Sequence, residues 1–238
     1  MKLEQALQKV YRDNIRIIED PTALAETALE FQQIMMMYEA GIKQITTKLE
    51  ILNCEFHTRS NRNPIETVKS RIKEPKSIVE KMHKRGYPIT LKAMTENIQD
   101  IAGVRITCPF ISDIYEVASM LTSQDDIFLL SLKDYIKHPK DNGYRSLHLV
   151  VRTPVFFSDR KEDIVVEIQI RTIAMDFWAS LEHQINYKKN NGLNPELLAE
   201  LKDCAEVIAE TDRRMEKIAV QIPEIKSQAG NVFVKGRQ

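Results

Sequence analysis

Between positions 163 and 171 the chain alternates as a β-strand does. Ile164, Val166, Ile168 and Ile170 fall on one side, and Val165, Glu167, Gln169 and Arg171 on the other, because successive side chains of a strand point to opposite faces of a sheet. Two further segments repeat the pattern. In IAGVRITC (101–108), Arg105 and Thr107 oppose Ala102, Val104, Ile106 and Cys108; in RSLHLVV (145–151), Ser146 and His148 oppose Leu147, Leu149 and Val151. These strands predict one sheet with a packed apolar face and an opposite face bearing Arg, His, Glu and Gln, a floor suited to polar chemistry.

Helical periodicity flanks this region. Phe31, Ile34, Met35, Tyr38, Ile42, Ile45, Leu49 and Leu52 recur at steps of three and four, predicting an amphipathic helix over 24–52. Asn194 is a candidate cap with Pro195 at the first helical position, and Leu198, Leu201, Ala205, Ile208, Met215 and Ile218 form the stripe of the helix that follows. Directly after the 163–171 strand, TIAMDFWASLEHQINYK (172–188) carries a stripe of Ile173, Phe177, Leu181 and Ile185 with Trp178 beside it. Asp176, Ser180, His183 and Tyr187 line another side. That polar row is expected to border the pocket above the polar sheet face. Three parts follow: a helical flank over 1–60, a mixed domain over 61–190, and a C-terminal helix and tail over 191–238. The flanks either complete the core or mediate self-association. The tail 230–238 has no pattern.

At 238 residues, with 43% apolar and 29% charged residues, the chain has the balance of a globular domain large enough to bury a core. Lysine plus arginine and aspartate plus glutamate are 34 each, so net charge gives no reason to expect non-specific nucleic-acid binding, although a local basic patch could still bind RNA. No apolar run approaches the roughly 20 residues that span a bilayer, and the first residues lack a signal-peptide core. Cys54, Cys108 and Cys204 are far apart without metal-ligand spacing, and are expected to be buried thiols of a cytoplasmic protein.

Neither GxxxxGK[ST] nor GxGxxG occurs among the seven glycines, so the two commonest glycine loops for phosphate are absent. A basic segment, KSRIKEPKSIVEKMHKR (69–85), stands in their place. Pro75 separates Arg71 and Lys73 from a short helix on which Ser77, Lys81 and Lys84 share a face, with Ile78, Val79 and Met82 expected on the buried side. Such a face is either a solvated surface or a holder for a polyphosphate. Asp100 and Glu167, on neighbouring strands, are suited to Mg2+, a hard cation that shares oxygen ligands with substrate phosphates. Asp100 alone also fits a turn or cap. His183 beside Glu182 has no zinc spacing around it.

Four motifs, NPIETVKSRIK (63–73), IQDIAGVRITC (98–108), DYIKHPKDNGYRSLH (134–148) and VEIQIRTIAMDFWASLEH (166–183), closely resemble the synthetase domain of the RelA/SpoT family. The resemblance covers about residues 63–188 and most resembles the small alarmone synthetases. It implies an α+β fold, a nucleotidyltransferase-like mixed sheet flanked by helices, with helical N- and C-terminal extensions. It also implies transfer of pyrophosphate from ATP to the 3′-hydroxyl of GDP or GTP, giving guanosine tetra- or pentaphosphate and AMP. No His-Asp dipeptide of the family's hydrolase domain occurs, so synthesis without hydrolysis is expected. By resemblance, Asp100 and Glu167 are magnesium ligands, and Glu167 also stands where the hydroxyl proton is accepted. Arg71 and Arg105 correspond to the pair that sandwiches adenine, and Lys73, Ser77, Lys81 and Lys84 to ATP-phosphate contacts. Tyr144 corresponds to the residue that stacks on guanine. Lys133, Lys140, Arg145 and His148 are candidate contacts to guanosine phosphates, with Gln169 bordering the acceptor. Asp176 takes a guanine-facing position where Asn or His is expected, and a carboxylate there can accept from guanine N1–H and its amino group. Small members of the family commonly form homotetramers. Two alternatives carry different tests: a nucleotidyltransferase that moves AMP would release pyrophosphate, and a silent nucleotide- or RNA-binding regulator would not need both carboxylates.

Overall fold

A computed structural model describes residues 21–60, 63–187 and 194–222. The elements are α1 (Pro21–Ser60), β1 (Thr67–Ile72), α2 (Pro75–Lys84), α3 (Leu91–Asn97), β2 (Ala102–Cys108), α4 (Ile111–Thr122), β3 (Phe128–Asp134), β4 (Leu147–Phe156), β5 (Lys161–Thr172), α5 (Ile173–Tyr187) and α6 (Pro195–Gln221). The five strands form one sheet in the order β1-β2-β5-β4-β3. Only the β2–β5 pair is parallel; the other neighbours are antiparallel. This is the mixed sheet expected, with α1 preceding it and α6 following it in sequence.

The three alternating segments become the three central strands. Their apolar positions Val104, Ile106, Leu149, Val151, Val166 and Ile168 are all 1% exposed or less. They share one core with Ile45 and Leu49 of α1 and with Ile114, Val117 and Leu121 of α4. The N-terminal helix therefore completes the core. Fully burying each such aliphatic side chain contributes about 1.5–3 kcal/mol, so α1 is a principal stabilising element. It crosses β5 at close range: a Cβ added to Gly41 would lie 2.5 Å from Ile164 Cγ2, so only glycine permits this approach.

Several expectations are corrected. On α2, Ile78 and Met82 are buried, but Val79 is 42% exposed. The stripe Ile173, Phe177, Leu181 and Ile185 of α5 is exposed, and the helix buries Met175, Trp178 and Ala179 instead. The reason is the position of α6, whose Ala205 packs against Trp178 and Ala179. On α6 the buried residues are Ala205, Ala209, Asp212 and Ala219, whereas Leu198, Met215 and Ile218 are exposed. Cys108 is buried, but Cys54 and Cys204 are exposed. Asn194 does cap α6, its side chain accepting from the Leu197 amide at 2.9 Å. The tail 230–238, the first 20 residues and the Tyr187 side chain lie outside the described residues.

Candidate active site

The strand register brings polar residues from all five strands into two rows on the face opposite the core. One row runs Arg71, Gly103, Glu167, Val150, Ser131; the next runs Lys69, Arg105, Gln169, His148, Lys133. An open cleft lies over the β1 side of these rows, lined by Arg71, Asp100, Gly103, Arg105, Glu167 and Gln169 among others. Gly103 leaves the floor between Arg71 and Glu167 free of a side chain.

Asp100 is the electrostatic centre of one end. It sits just before β2. The Lys73 amide donates to the Ile101 carbonyl at 2.9 Å, which ties the chain leaving β1 to the start of β2. Pro75 then opens α2, whose second turn delivers Lys81. The Lys73 and Lys81 ammonium groups contact the same Asp100 Oδ2 at 2.8 and 2.7 Å. Burial pushes the Asp100 carboxyl up, but the hydrogen bonds and charges of Lys73 and Lys81 outweigh it and hold the carboxyl below its ordinary value. Asp100 Oδ1 is buried with no hydrogen-bond partner. Ser77 lies half-buried on the same helix, and Lys84 is exposed one turn beyond Lys81. Arg71 is exposed on β1; Arg105 is 3.7 Å from Asp176. Burial, then repulsion from Arg171, lowers the Arg105 pKa.

Toward β4 the polar face becomes a connected chain of contacts. Gln169 donates to Glu167 Oε2 at 2.9 Å, and His148 Nδ1 stands 3.6 Å from Glu167 Oε1. Burial raises the Glu167 carboxyl, yet the nearby His148 and Gln169 more than compensate, leaving it below the usual range; Asp100 opposes them. The Tyr144 hydroxyl pairs with His148 Nε2 at 2.8 Å. Arg171, the residue of β5 for which the motif offered no contact, joins this chain. It donates to Tyr144 Oη at 2.5 Å, Gln169 Oε1 at 3.0 Å and Asp176 Oδ1 at 3.2 Å. Alternation placed Arg171 on this face beside Gln169; its other two partners, Tyr144 and Asp176, come from a loop and the next helix, which periodicity does not relate.

Tyr135, also not anticipated, completes an aromatic cluster, its ring edge-on to Tyr144 and to His148 with centroids 6.1 and 5.1 Å away. The Lys140 ammonium lies over both tyrosine rings, 4.8 Å from Tyr135 and 4.7 Å from Tyr144. Lys133 is exposed beside His148 in the register. Arg145 faces elsewhere: its guanidinium donates to both oxygens of Glu206 on α6 at 3.0 Å and to the Gly143 carbonyl at 3.0 Å.

Among the described residues no cluster of three or more His, Cys, Asp or Glu could hold a metal. Two carboxylates near one cleft, one with an unpartnered buried oxygen, nevertheless suit magnesium, which takes one or two carboxylates and completes its shell with water and substrate phosphates.

Residues 70–192 match the family model described as the region found in RelA/SpoT proteins. The GTP pyrophosphokinase YwaC of Bacillus subtilis is 48% identical over 186 residues, which cover 78% of this chain and 89% of YwaC. The chain belongs to the RelA/SpoT family. Among solved structures, small alarmone synthetase 2 from Bacillus subtilis superposes with a TM-score of 0.75 at 44% identity, covering 81% of this RelA/SpoT-family chain and all of that one (100%). Small alarmone synthetase 1 from the same organism, bound to its product pppGpp, gives a TM-score of 0.76 at 34% identity, covering 82% and 98%.

Proposed function

We propose that this protein is a GTP pyrophosphokinase that makes guanosine tetra- or pentaphosphate from ATP and GDP or GTP, by synthesis without hydrolysis. The observation that carries the reading is the meeting, on one sheet face, of a carboxylate held by two lysines and a second carboxylate adjoining an aromatic, cationic pocket. This is the division a two-nucleotide transfer needs: cations for a triphosphate at one end and a base-stacking site at the other.

In this reading Arg71 and Arg105 flank adenine, since a guanidinium can stack on a base while keeping its charge. Lys73, Ser77, Lys81 and Lys84 hold the ATP phosphates, Lys73 and Lys81 exchanging Asp100 for phosphate oxygens. Tyr144 stacks on the guanine, Asp176 accepts from its N–H edge, and Lys133, Lys140 and His148 face its phosphates. Glu167, with Gln169 and His148 fixing its two oxygens, orients the 3′-hydroxyl and is placed to take its proton. Asp100 and Glu167 would hold Mg2+, which when bound neutralises charge on the transferring group.

The exposed apolar stripe of α5, Ile173, Phe177, Leu181 and Ile185, supports self-association, and a homotetramer is the assembly proposed. No helix among the described residues is long and apolar enough to cross a membrane; the cytoplasm, where both nucleotides are abundant, is the proposed location. The test is to incubate the purified protein with Mg2+, ATP and each guanine nucleotide and to separate the products chromatographically. The reading expects AMP together with a guanosine carrying two more phosphates. Absence of that nucleotide with both acceptors would refute it.

A further inference from the structure

The loop that presents Tyr144 is gripped by the C-terminal helix. Gly143, at φ +87°, lies so close to α6 that an added Cβ would stand 2.5 Å from the Ala205 Cβ. Two residues on, Arg145 reaches the same turn of α6. Its Nη1 donates to the Ala205 carbonyl at 3.3 Å and its Nη2 to both Glu206 oxygens at 3.0 Å. The side chain of Arg145 is 11% exposed and that of Glu206 53%, so the arginine is the enclosed member of the pair. Tyr144 sits between these two anchor points, and its hydroxyl is aimed at His148 and Arg171.

The far end of α6 is itself fixed. Thr172, the last residue of β5, donates to Asp212 at 2.6 Å. Glu216 accepts from the backbone amide of Ile111 at 2.7 Å, at the exposed N-terminus of α4, where a carboxylate is favoured. The helix is thus braced against the strand that carries Glu167 and, about two turns away, against the loop that carries Tyr144.

Resting on the acceptor-site reading above, we propose that Glu206 is a positioning residue for the guanine nucleotide: through Arg145 it holds the 143–145 loop so that the Tyr144 ring is set for stacking before the nucleotide arrives. Arg145 is then a strut and not a phosphate contact. The grip acts chiefly on the acceptor, because the ATP-phosphate lysines Lys73 and Lys81 pair with Asp100, and Arg105 meets Tyr144 indirectly, through Asp176 and Arg171.

The experiment measures the Kd for GDP by calorimetry and KM for each substrate in wild type, Glu206→Gln, Glu206→Arg, Arg145→Glu and the double variant Glu206→Arg with Arg145→Glu. Glu206→Arg places like charges where an ion pair stood, and is expected to weaken GDP binding and raise the acceptor KM about tenfold. Glu206→Gln, which keeps one acceptor oxygen, is expected to give a smaller change in the same direction. The KM for ATP is expected to stay within about twofold, a split that general loss of structure would not produce. The double variant restores the pair in reverse and is expected to recover most of the GDP affinity. Unchanged GDP affinity in Glu206→Arg would overturn the proposal. So would a double variant as impaired as Arg145→Glu alone, since Arg145 would then be touching the nucleotide itself. Wild-type protein that binds no guanine nucleotide would remove the acceptor reading, and this proposal with it.

Discussion

Replacing Arg171 by methionine isolates the largest buried polar commitment of the site. The arginine side chain is 5% exposed and that of Asp176 17%. The substitution keeps much of the side chain's apolar stem and removes the hydrogen bonds to Asp176, Gln169 and Tyr144. Removing one partner of a buried ion pair costs about 3–5 kcal/mol, because the other charge is left uncompensated. Here Arg105, 3.7 Å from Asp176, still offsets part of that charge, and its own repulsion by Arg171 is relieved. The lower end, about 3 kcal/mol, is therefore expected. For a chain of this size that lowers the melting temperature by about 6–12 °C. Urea and thermal unfolding followed by circular dichroism measure it. The control is Arg171→Met combined with Asp176→Leu, which removes both charges and is expected to recover at least half of the lost stability while remaining inactive. A single variant within about 1 kcal/mol of wild type would refute the assignment of Arg171 as the buried organiser of this face.

Three further outcomes are expected. Glu167→Gln and Asp100→Asn each lower synthesis by about 100-fold or more, the scale of several kcal/mol of lost charge stabilisation, while the far-ultraviolet spectrum is unchanged; steady-state product formation checks this. Tyr144→Ala weakens GDP binding by about 1–3 kcal/mol, the scale of a base–aromatic stack, by calorimetry. Asp212 is buried, and desolvation holds its pKa above the ordinary carboxylate value despite the Thr172 hydrogen bond. A raised folded pKa means that stability is fully present below the unfolded pKa, near 4, and is lost as pH rises through the folded value. Asp212→Asn, whose carbonyl can still accept from Thr172, is thus expected to melt higher than wild type at pH 7 and to lose that advantage in acid.

The central strands were legible because each has neighbours on both sides and one face in the core, so burial imposes alternation on its sequence. The edges were not. TVKSRI of β1 is largely exposed and reads as a basic segment, and FLLSLKD of β3 places apolar residues at consecutive positions, with a register shift between Leu129 and Ser131. On α5 the stripe at 173, 177, 181 and 185 was legible, but not which side of the helix would be covered. That depended on α6, a partner distant in sequence. Arg145 shows the same limit within the resemblance itself: the motif made it a candidate contact to guanosine phosphates, while its side chain faces Glu206, 61 residues away. The same resemblance named Asp100, Lys73 and Lys81, which the fold brings within ion-pair distance.

The most direct test of the reaction follows the phosphates themselves. With ATP labelled at its γ-phosphate, Mg2+ and GDP, the account predicts label at the 3′ position of the guanosine product, formed in equal amount to AMP and without free labelled pyrophosphate. Labelled pyrophosphate in solution, with AMP attached to the acceptor, would contradict it.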